Sequence, residues 1–596
     1  MIKVSDYIAR RLYELGLRHV FMVTGGGAMH LNDAFARGSG FEVLFNHHEQ
    51  ACAIAAEGLF RATGQVGVVN VTTGPGGLNT LTGLMGQWTD SIPTIYVSGQ
   101  VKHSTTVDCC RDIPLRQLGD QEVDIIPIVA PLTKYAKSVK DPHDVRFELE
   151  QAFHLATSGR KGPVWLDIPM DVQGAIVDET SLRPYVAVEY EPAPFDADAV
   201  AQLIQKSRRP LLVFGHGLRL AGQATRALQL AERLGIPAVV TFGGYDLVPN
   251  AHPSYAGRIG TLGTRGGNFT LQNADLVVLL GTRNNVRQIS YNWENFAPHA
   301  VTVAVDVDPA ELKKPTFSPS HAVQADLASF LPALEEALHS TQPKEEFRNW
   351  LRWAKARTER YSVVLPEHLR VEDRIHPYPF FEQFTQRLPE DAVVVAGNGT
   401  ACVVLFQAGV VRAGQRHFWN SGCASMGYDL PAAIGAARGL KRTVWCLAGD
   451  GSLQMNLQEL ATVSYNRLPV KLVVLNNGGY ASIRQTQTNF FGTQYGCGAS
   501  SGLGFPNYRE LARAYDLPYR CSSRLEETEE HQRQVQALEG PVIWEIQLTL
   551  DYAFEPKLSS RKLPDGRMVS SPLHDMAPFL SRDELAENML SPVDDA

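Results

Sequence analysis

The chain has 596 residues, 44% of them hydrophobic and 20% charged; at about 150 residues per domain this predicts about four domains or three large ones, and it excludes a single small module, a fibre and a disordered chain. Its 55 Lys and Arg against 63 Asp and Glu leave a net charge of -8, with no basic run that could neutralise phosphates in series, so nucleic acid is not expected as a partner. Eight cysteines without a CxxC pair argue against a disulfide framework or a zinc site and for a reducing compartment.

The N-terminal stretch MIKVSDYIARRLYELGLRHVF interleaves charges with apolar residues at helical spacing, which predicts a helix and not a secretory leader. HVFMVT, VGVVNVTT, TIYVSG and GPVWLDI then read as strands of a first unit, 1–180. A Pro- and charge-rich linker around 178–197 leads to PLLVFG, PAVVTF, ADLVVLLG and VTVAVDVD in a second unit, 190–340. A charged helical stretch from 340 to 370, read as a second linker, precedes AVVVAG, RTVWCLAG, VKLVVLNN and PVIWEIQ in a third unit, 370–555. Strands this continuously apolar are buried on both faces, so the expected class is α/β: three doubly wound parallel sheets covered by helices. No apolar run approaches the ~20 residues that span a bilayer, which predicts a soluble, cytoplasmic protein without a membrane partner. The segment 556–596 has turn residues and scattered apolar anchors, and is expected to wrap as an irregular tail over a neighbouring surface.

The strongest chemical signal is AGDGSLQMNLQELATVSYNRLPVKLVVLNNGGY. Gly449, Asp450 and Gly451 follow one buried strand and Asn476-Asn477 ends the next, with 24 residues between the two motifs. Loops at the carboxyl ends of neighbouring strands share the ligand crevice of an α/β sheet. Asp450 and Asn477 offer side-chain oxygens for Mg²⁺ and Gly479 a carbonyl, while Gly451 and Ser452 open a helix whose N-terminus suits a phosphate. Alone, GDG is equally well a tight turn and NN an Asx turn. Joined at this spacing by a strand-helix-strand pattern, they resemble the metal-diphosphate motif of thiamine diphosphate enzymes.

That resemblance gives other positions a meaning. Glu49, between a short apolar strand and the helix of VLFNHHEQACAIAAEGLF, matches the glutamate that exchanges a proton with N1' of the aminopyrimidine; otherwise it is a helix-terminal carboxylate favoured by the dipole. His47 and His48 are acid-base candidates or ordinary hydrogen-bonding residues. In NSGCASMGYDLPAAIGAARG, Met426 stands where acetolactate (acetohydroxyacid) synthases place the bulky residue that wedges between the cofactor rings, although Met is also common core filler. Gly397, Asn398 and Gly399 fit a backbone cradle for the diphosphate. Gly26 and Gly27 would let backbone approach a bound 2-keto acid, and Gln100 lies in a stretch similar to the pyrimidine-binding region.

The middle-unit pieces GHGLR, GTLGTRGGN, GTRNNVR and VAVDVDPAEL resemble the flavin-binding region of the acetolactate synthase family. The resemblance implies a structural FAD lined by Arg219, Gly260, Thr261, Leu262, Arg283, Asp306 and Asp308, or an emptied domain of the same fold. It also implies a homodimer or homotetramer, with Glu49 of one copy facing the diphosphate loops of another.

The expected reaction is decarboxylation of a 2-keto acid, pyruvate by resemblance, with transfer of the two-carbon unit to a ketone. Two positions depart from the family: Thr486 where it carries a tryptophan, and Asp120 near its phenylalanine. Both suggest a wider, more polar acceptor pocket. Arg287 aligns with an arginine that contacts the acceptor carboxylate and fits a second keto acid, a sugar phosphate or a structural ion pair. The tail is similar to C-terminal extensions of acetolactate-synthase-like proteins of polysaccharide pathways, among them the yersiniose-pathway carboligases, which directs the expectation to a keto sugar nucleotide as acceptor. Condensation of two pyruvates to acetolactate and hydrolysis of a cyclic 1,2-dione are the alternatives. A non-catalytic thiamine-dependent sensor is disfavoured by the joint presence of Glu49, Asp450, Asn477 and Met426.

Overall fold

The computed structural model describes residues 1–37, 40–188, 193–371, 373–562 and 567–590. Three six-stranded parallel sheets, each flanked by helices, account for the architecture. The first runs, in spatial order, Glu42–Phe45, His19–Met22, Gly67–Val71, Thr94–Gln100, Val164–Pro169 and Tyr135–Ser138. The second runs Tyr255–Arg258, Ala238–Val240, Pro210–Phe214, Leu276–Leu280, Val301–Asp306 and His321–Gln324. The third runs Arg416–Phe418, Val393–Ala396, Val444–Gly449, Val470–Asn476, Val542–Gln547 and Tyr519–Ser522. The expected α/β class therefore holds in all three units.

The central sheet reverses its winding once; the first and third do so at a corresponding point and also exchange their last two strands at the far edge. At the switch point the helices leave on opposite faces and open a crevice at the strand ends. In the first sheet the reversal lies between His19–Met22 and Gly67–Val71, in the second between Pro210–Phe214 and Leu276–Leu280, and in the third between Val393–Ala396 and Val444–Gly449. The sequence motifs 23–27, 72–76, 215–219, 281–287, 397–399 and 449–452 all leave the sheets there.

The first and third units are pressed together through two helices, Glu49–Thr63 and Asp429–Leu440. A Cβ on Gly58 would lie 2.1 Å from the Ala432 carbonyl oxygen, and one on Gly435 would lie 1.8 Å from that of Ala55. Backbone oxygens cannot rotate away, so an added methyl must drive the helices apart. Gly435→Ala is therefore expected to destabilise the protein by at least ~1–3 kcal/mol, the usual cost of overpacking, read as a lower midpoint in chemical denaturation. A wild-type midpoint would show that the helices separate freely.

A buried ionic lattice joins all three units. Arg61 pairs with Glu57 at 2.8 Å and with Asp90 at 2.6 Å, and the Asp90 carboxylate also accepts the backbone N–H groups of Ser421 and Gly422 at 2.9 and 3.0 Å. Asp246 of the central unit pairs with Arg219 at 2.9 Å and Arg416 at 2.7 Å. Burial would raise the Asp246 pKa, but these two guanidiniums outweigh it and hold the carboxyl below its usual range.

The charged stretch 340–370 forms a helix, Glu345–Arg360, that buries Phe347, Trp350 and Ala354 on the central unit, where the Trp350 indole donates to the Pro210 carbonyl at 2.9 Å. The surface covered by the tail is the central unit too: Leu558 N–H donates to Thr261 O, Arg265 to Met576 O, and Asn273 to Asn588 O. Residues 189–192 of the first linker and 563–566 and 591–596 of the tail lie outside the described residues. Among the described residues no helix is long and apolar enough to cross a membrane.

Candidate active site

The loop 449–452 leaves the third sheet at its switch point and meets the loop 476–480 from the neighbouring strand. Asp450 begins the short helix Asp450–Leu453, and its two carboxylate oxygens accept the N–H groups of Gly451 at 2.7 Å and Gly479 at 2.9 Å. Burial nevertheless pushes its pKa up to about 6, the mark of a carboxylate short of positive charge. Asn477 stands beside it. Its Nδ2 donates to Tyr552 Oη at 2.7 Å and Thr400 Oγ1 at 3.1 Å, while its buried Oδ1 has no hydrogen-bond partner among the described residues. An orphaned buried carbonyl oxygen costs ~1–3 kcal/mol unless something binds it. Gly479 has φ +131, and a Cβ there would strike the Cys497 carbonyl oxygen at 2.1 Å, so only glycine fits the turn. One carboxylate, one amide oxygen and a nearby carbonyl are hard donors suited to Mg²⁺. This mixed set also explains why, among the described residues, no cluster of three or more His, Cys, Asp or Glu marks a metal site.

The cradle around these donors is built by glycines and a chain of polar contacts. A Cβ on Gly451 would fall 2.1 Å from the Tyr480 ring, and one on Gly397 2.2 Å from Asp429 Oδ2. Asp429, which burial pushes up to about 6, accepts from Ser452 Oγ, and that hydroxyl accepts the Gly427 N–H at 2.8 Å. Asn398 Nδ2 donates to Ser425 O at 2.6 Å. The half-buried Met426 thus sits in a loop tied to 397–399 on one side and to Ser452 on the other.

Glu49 is the first residue of its helix, whose N-cap is His48: the Nδ1 of His48 accepts the Gln50 N–H at 3.0 Å. His48 is thereby occupied as a cap, and His47 is exposed, its N–H donating to Glu459. Glu459 is fully buried and also binds the His48 N–H and Asn46 Nδ2, so a third-unit carboxylate fixes the turn that presents Glu49. Half-buried Glu49 accepts from Asn79 Nδ2 at 2.9 Å and faces the 74–77 turn, Gly76 being close enough for a Cβ to lie 3.6 Å from Oε1.

Gly27 N–H donates to Thr72 Oγ1 at 3.1 Å, and Gly26 is exposed with open space where a Cβ would point. Gln100 is placed differently from a free substrate contact: it is buried, its Oε1 accepts from Thr73 Oγ1 and Val101 N–H, and its Nε2 donates to Val123 O and Asp167. Its amide is committed to holding the 101–123 segment against the sheet.

A separate cavity of about 380 Å³ opens at the second switch point, between the first and central units. Arg283 and Asp306 line it, with Gly217, Asn284, Asp326 and Arg160. Burial raises Asp306 to about 6, and the buried His216 Nε2 on its wall has no partner among the described residues. The other residues expected around a flavin are set back from this wall. Arg219 is paired with Asp246, and Asp308 with Arg160 at 2.7 Å. Gly260 N–H is bound to Asn268, and Thr261 Oγ1 donates to Arg287 O. Leu262 lines a small adjoining void with Phe242, Arg287 and Ser421. The Arg287 guanidinium lies over the Phe242 ring, 5.1 Å from its centroid.

Thr486 and Asp120 are both exposed. The helix that carries Thr486, Ala481–Phe491, leaves directly from the 476–480 turn and buries none of its residues within the chain.

Tyr552, Thr400, Asp429 and Glu459 were missed by motif reading. Glu459 alone had a local signal, a carboxylate within the apolar helix LQELATV; the others have meaning only through their distant partners.

Three family models match the chain: the thiamine pyrophosphate enzyme N-terminal TPP binding domain over residues 2–128, the central domain over 197–334 and the C-terminal TPP binding domain over 397–546. Among curated proteins, the chain is similar to the acetolactate synthase isozyme 1 large subunit of Escherichia coli (strain K12), 32% identical over 86% of this chain and 88% of that one. It is also similar to the isozyme 2 large subunit of the same organism, 31% identical over 91% and 95%, and to an acetolactate synthase of Arthrospira platensis, 32% identical over 90% and 92%.

Proposed function

Since the chain belongs to the thiamine pyrophosphate enzymes, and within them to the acetolactate synthase-like family, we propose that it decarboxylates a 2-keto acid, pyruvate first among candidates, and passes the two-carbon unit to a ketone acceptor such as a keto sugar nucleotide. Thiamine diphosphate supplies the nucleophilic carbon and the electron sink that this chemistry needs. Asp450, Asn477 and the Gly479 carbonyl hold Mg²⁺, and Gly397 to Gly399 with Gly449, Gly451 and Ser452 receive the diphosphate. Glu49 holds and returns a proton at the pyrimidine ring, Met426 supports the cofactor's bend, and Gly26 lets backbone reach the keto acid.

FAD, as a structural cofactor, is assigned to the cavity walled by Arg283, Asp306 and His216, whose buried Nε2 has no partner among the described residues, with Arg219, Gly260 to Leu262 and Asp308 as its outer support. Two copies or more make one active site, consistent with the exposed apolar residues Met29, Phe45, Met455, Ile483 and Phe490 on the elements that bear the motifs. A cytoplasmic setting agrees with eight free cysteines.

The observation behind the acceptor reading is the exposed Thr486, on a helix springing from the metal turn, at a position where the resemblance places a tryptophan. The similarity to acetolactate synthases supports a second reading, in which pyruvate is also the acceptor. The two are separated by giving the purified protein Mg²⁺, thiamine diphosphate, FAD and labelled pyruvate, with and without a 4-keto sugar nucleotide, and following products by NMR. A labelled two-carbon branch on the sugar is expected; rapid acetolactate from pyruvate alone would establish the second reading, and unconsumed pyruvate in both would sink the pyruvate-donor assignment.

A further inference from the structure

The chain leaves its last central strand at Gln547 and, before crossing to the central unit, passes Tyr552 directly behind the metal-site loops. The Tyr552 hydroxyl accepts from Asn477 Nδ2 at 2.7 Å and lies 2.6 Å from Thr400 Oγ1, which accepts from the same amide at 3.1 Å. Both donors of the amide are thus engaged on one side, and Oδ1 is left buried and free on the other. A carboxamide is almost symmetric in shape; its hydrogen-bond partners decide which end points where. Turned round, it would aim N–H groups at the place where a cation sits.

We infer that Tyr552 is a positioning residue, fixing the plane and direction of the Asn477 amide so that its oxygen faces the metal. The inference rests on the reading of Asp450 and Asn477 as metal ligands. The Tyr552 ring packs edge-on against His376 and Phe554, with centroids 6.1 and 5.9 Å away, and these contacts survive loss of the hydroxyl.

The test is the Mg²⁺ concentration that half-saturates thiamine diphosphate binding to the full chain, followed by calorimetry. Tyr552→Phe is expected to raise it ~10- to 100-fold, the range seen when outer partners of metal ligands are removed, and Thr400→Val to shift it in the same direction. In an Asn477→Asp background the carboxylate has no wrong end to present, so adding Tyr552→Phe should change the value less than ~2-fold, a non-additivity that a mere packing role would not produce. A wild-type value for Tyr552→Phe, or equal losses in both backgrounds, would overturn the inference. Binding that needs no Mg²⁺ in the wild type would remove the metal-site reading, and this inference with it.

Discussion

Glu49→Gln is expected to bind thiamine diphosphate as the wild type does and to turn over a 2-keto acid ~10²- to 10⁴-fold more slowly, the range of general acid-base contributions. Gln has the same shape, can still accept from Asn79 Nδ2 through its oxygen, and leaves the His48 cap and the Glu459 clamp on 46–48 untouched. What it cannot do is surrender and recover a proton. The variant therefore separates proton handling from architecture, which a truncation to Ala would confuse with a lost contact. Steady-state rates and cofactor titration on the same preparation decide the matter, and near wild-type turnover would sink the assigned role.

Asp450→Asn should weaken Mg²⁺-dependent cofactor binding by more than ~100-fold, beyond the range for outer partners because a charged donor is itself lost. Asn keeps the volume, and its oxygen can still take one of the two N–H groups now bound by the carboxylate, so the turn has a reason to persist. The negative charge is gone, and with it the group that balances a divalent cation in a buried crevice. An unchanged Mg²⁺ titration would mean that the cation, if any, binds elsewhere. Circular dichroism of both proteins guards against an unfolded variant.

The central strands of all three sheets were legible because burial on both faces writes itself as an unbroken apolar run. The edge strands were not: YAKS, YAGR, HAVQ, RHF and YRCS are short and mixed in polarity, and EVLF shows only through its short apolar centre. Tyr135–Ser138, His321–Gln324 and Tyr519–Ser522 answer in part to solvent, whereas Tyr255–Arg258 and Arg416–Phe418 are buried but carry Arg258 and Arg416, whose partners Gln407 and Asp246 lie in another unit. The site divides along a similar line. Asp450, Asn477 and Glu49 stand in local motifs, because strand ends and helix starts fix them close in sequence to their function. Tyr552 meets Asn477 across 75 residues, and Asp429 meets Ser452 across 23; no periodicity links such pairs. Gln100 illustrates the reverse: its position matched a family region, yet the fold engages its whole amide internally.

The Asp90 and Asp246 lattice has a bearing on anyone who would recombine these units with those of relatives. A transplanted central unit that lacked Asp246 would leave Arg416 buried without its carboxylate, and a first unit without Asp90 would leave two backbone N–H donors in the loop leading to Met426 without their acceptor. Uncompensated buried charge costs several kcal/mol. The three units look modular in outline, but their heritable unit of exchange is the set of contacts at the joints, and chimaeras should be cut so that Arg61, Asp90, Asp246 and Arg416 travel together.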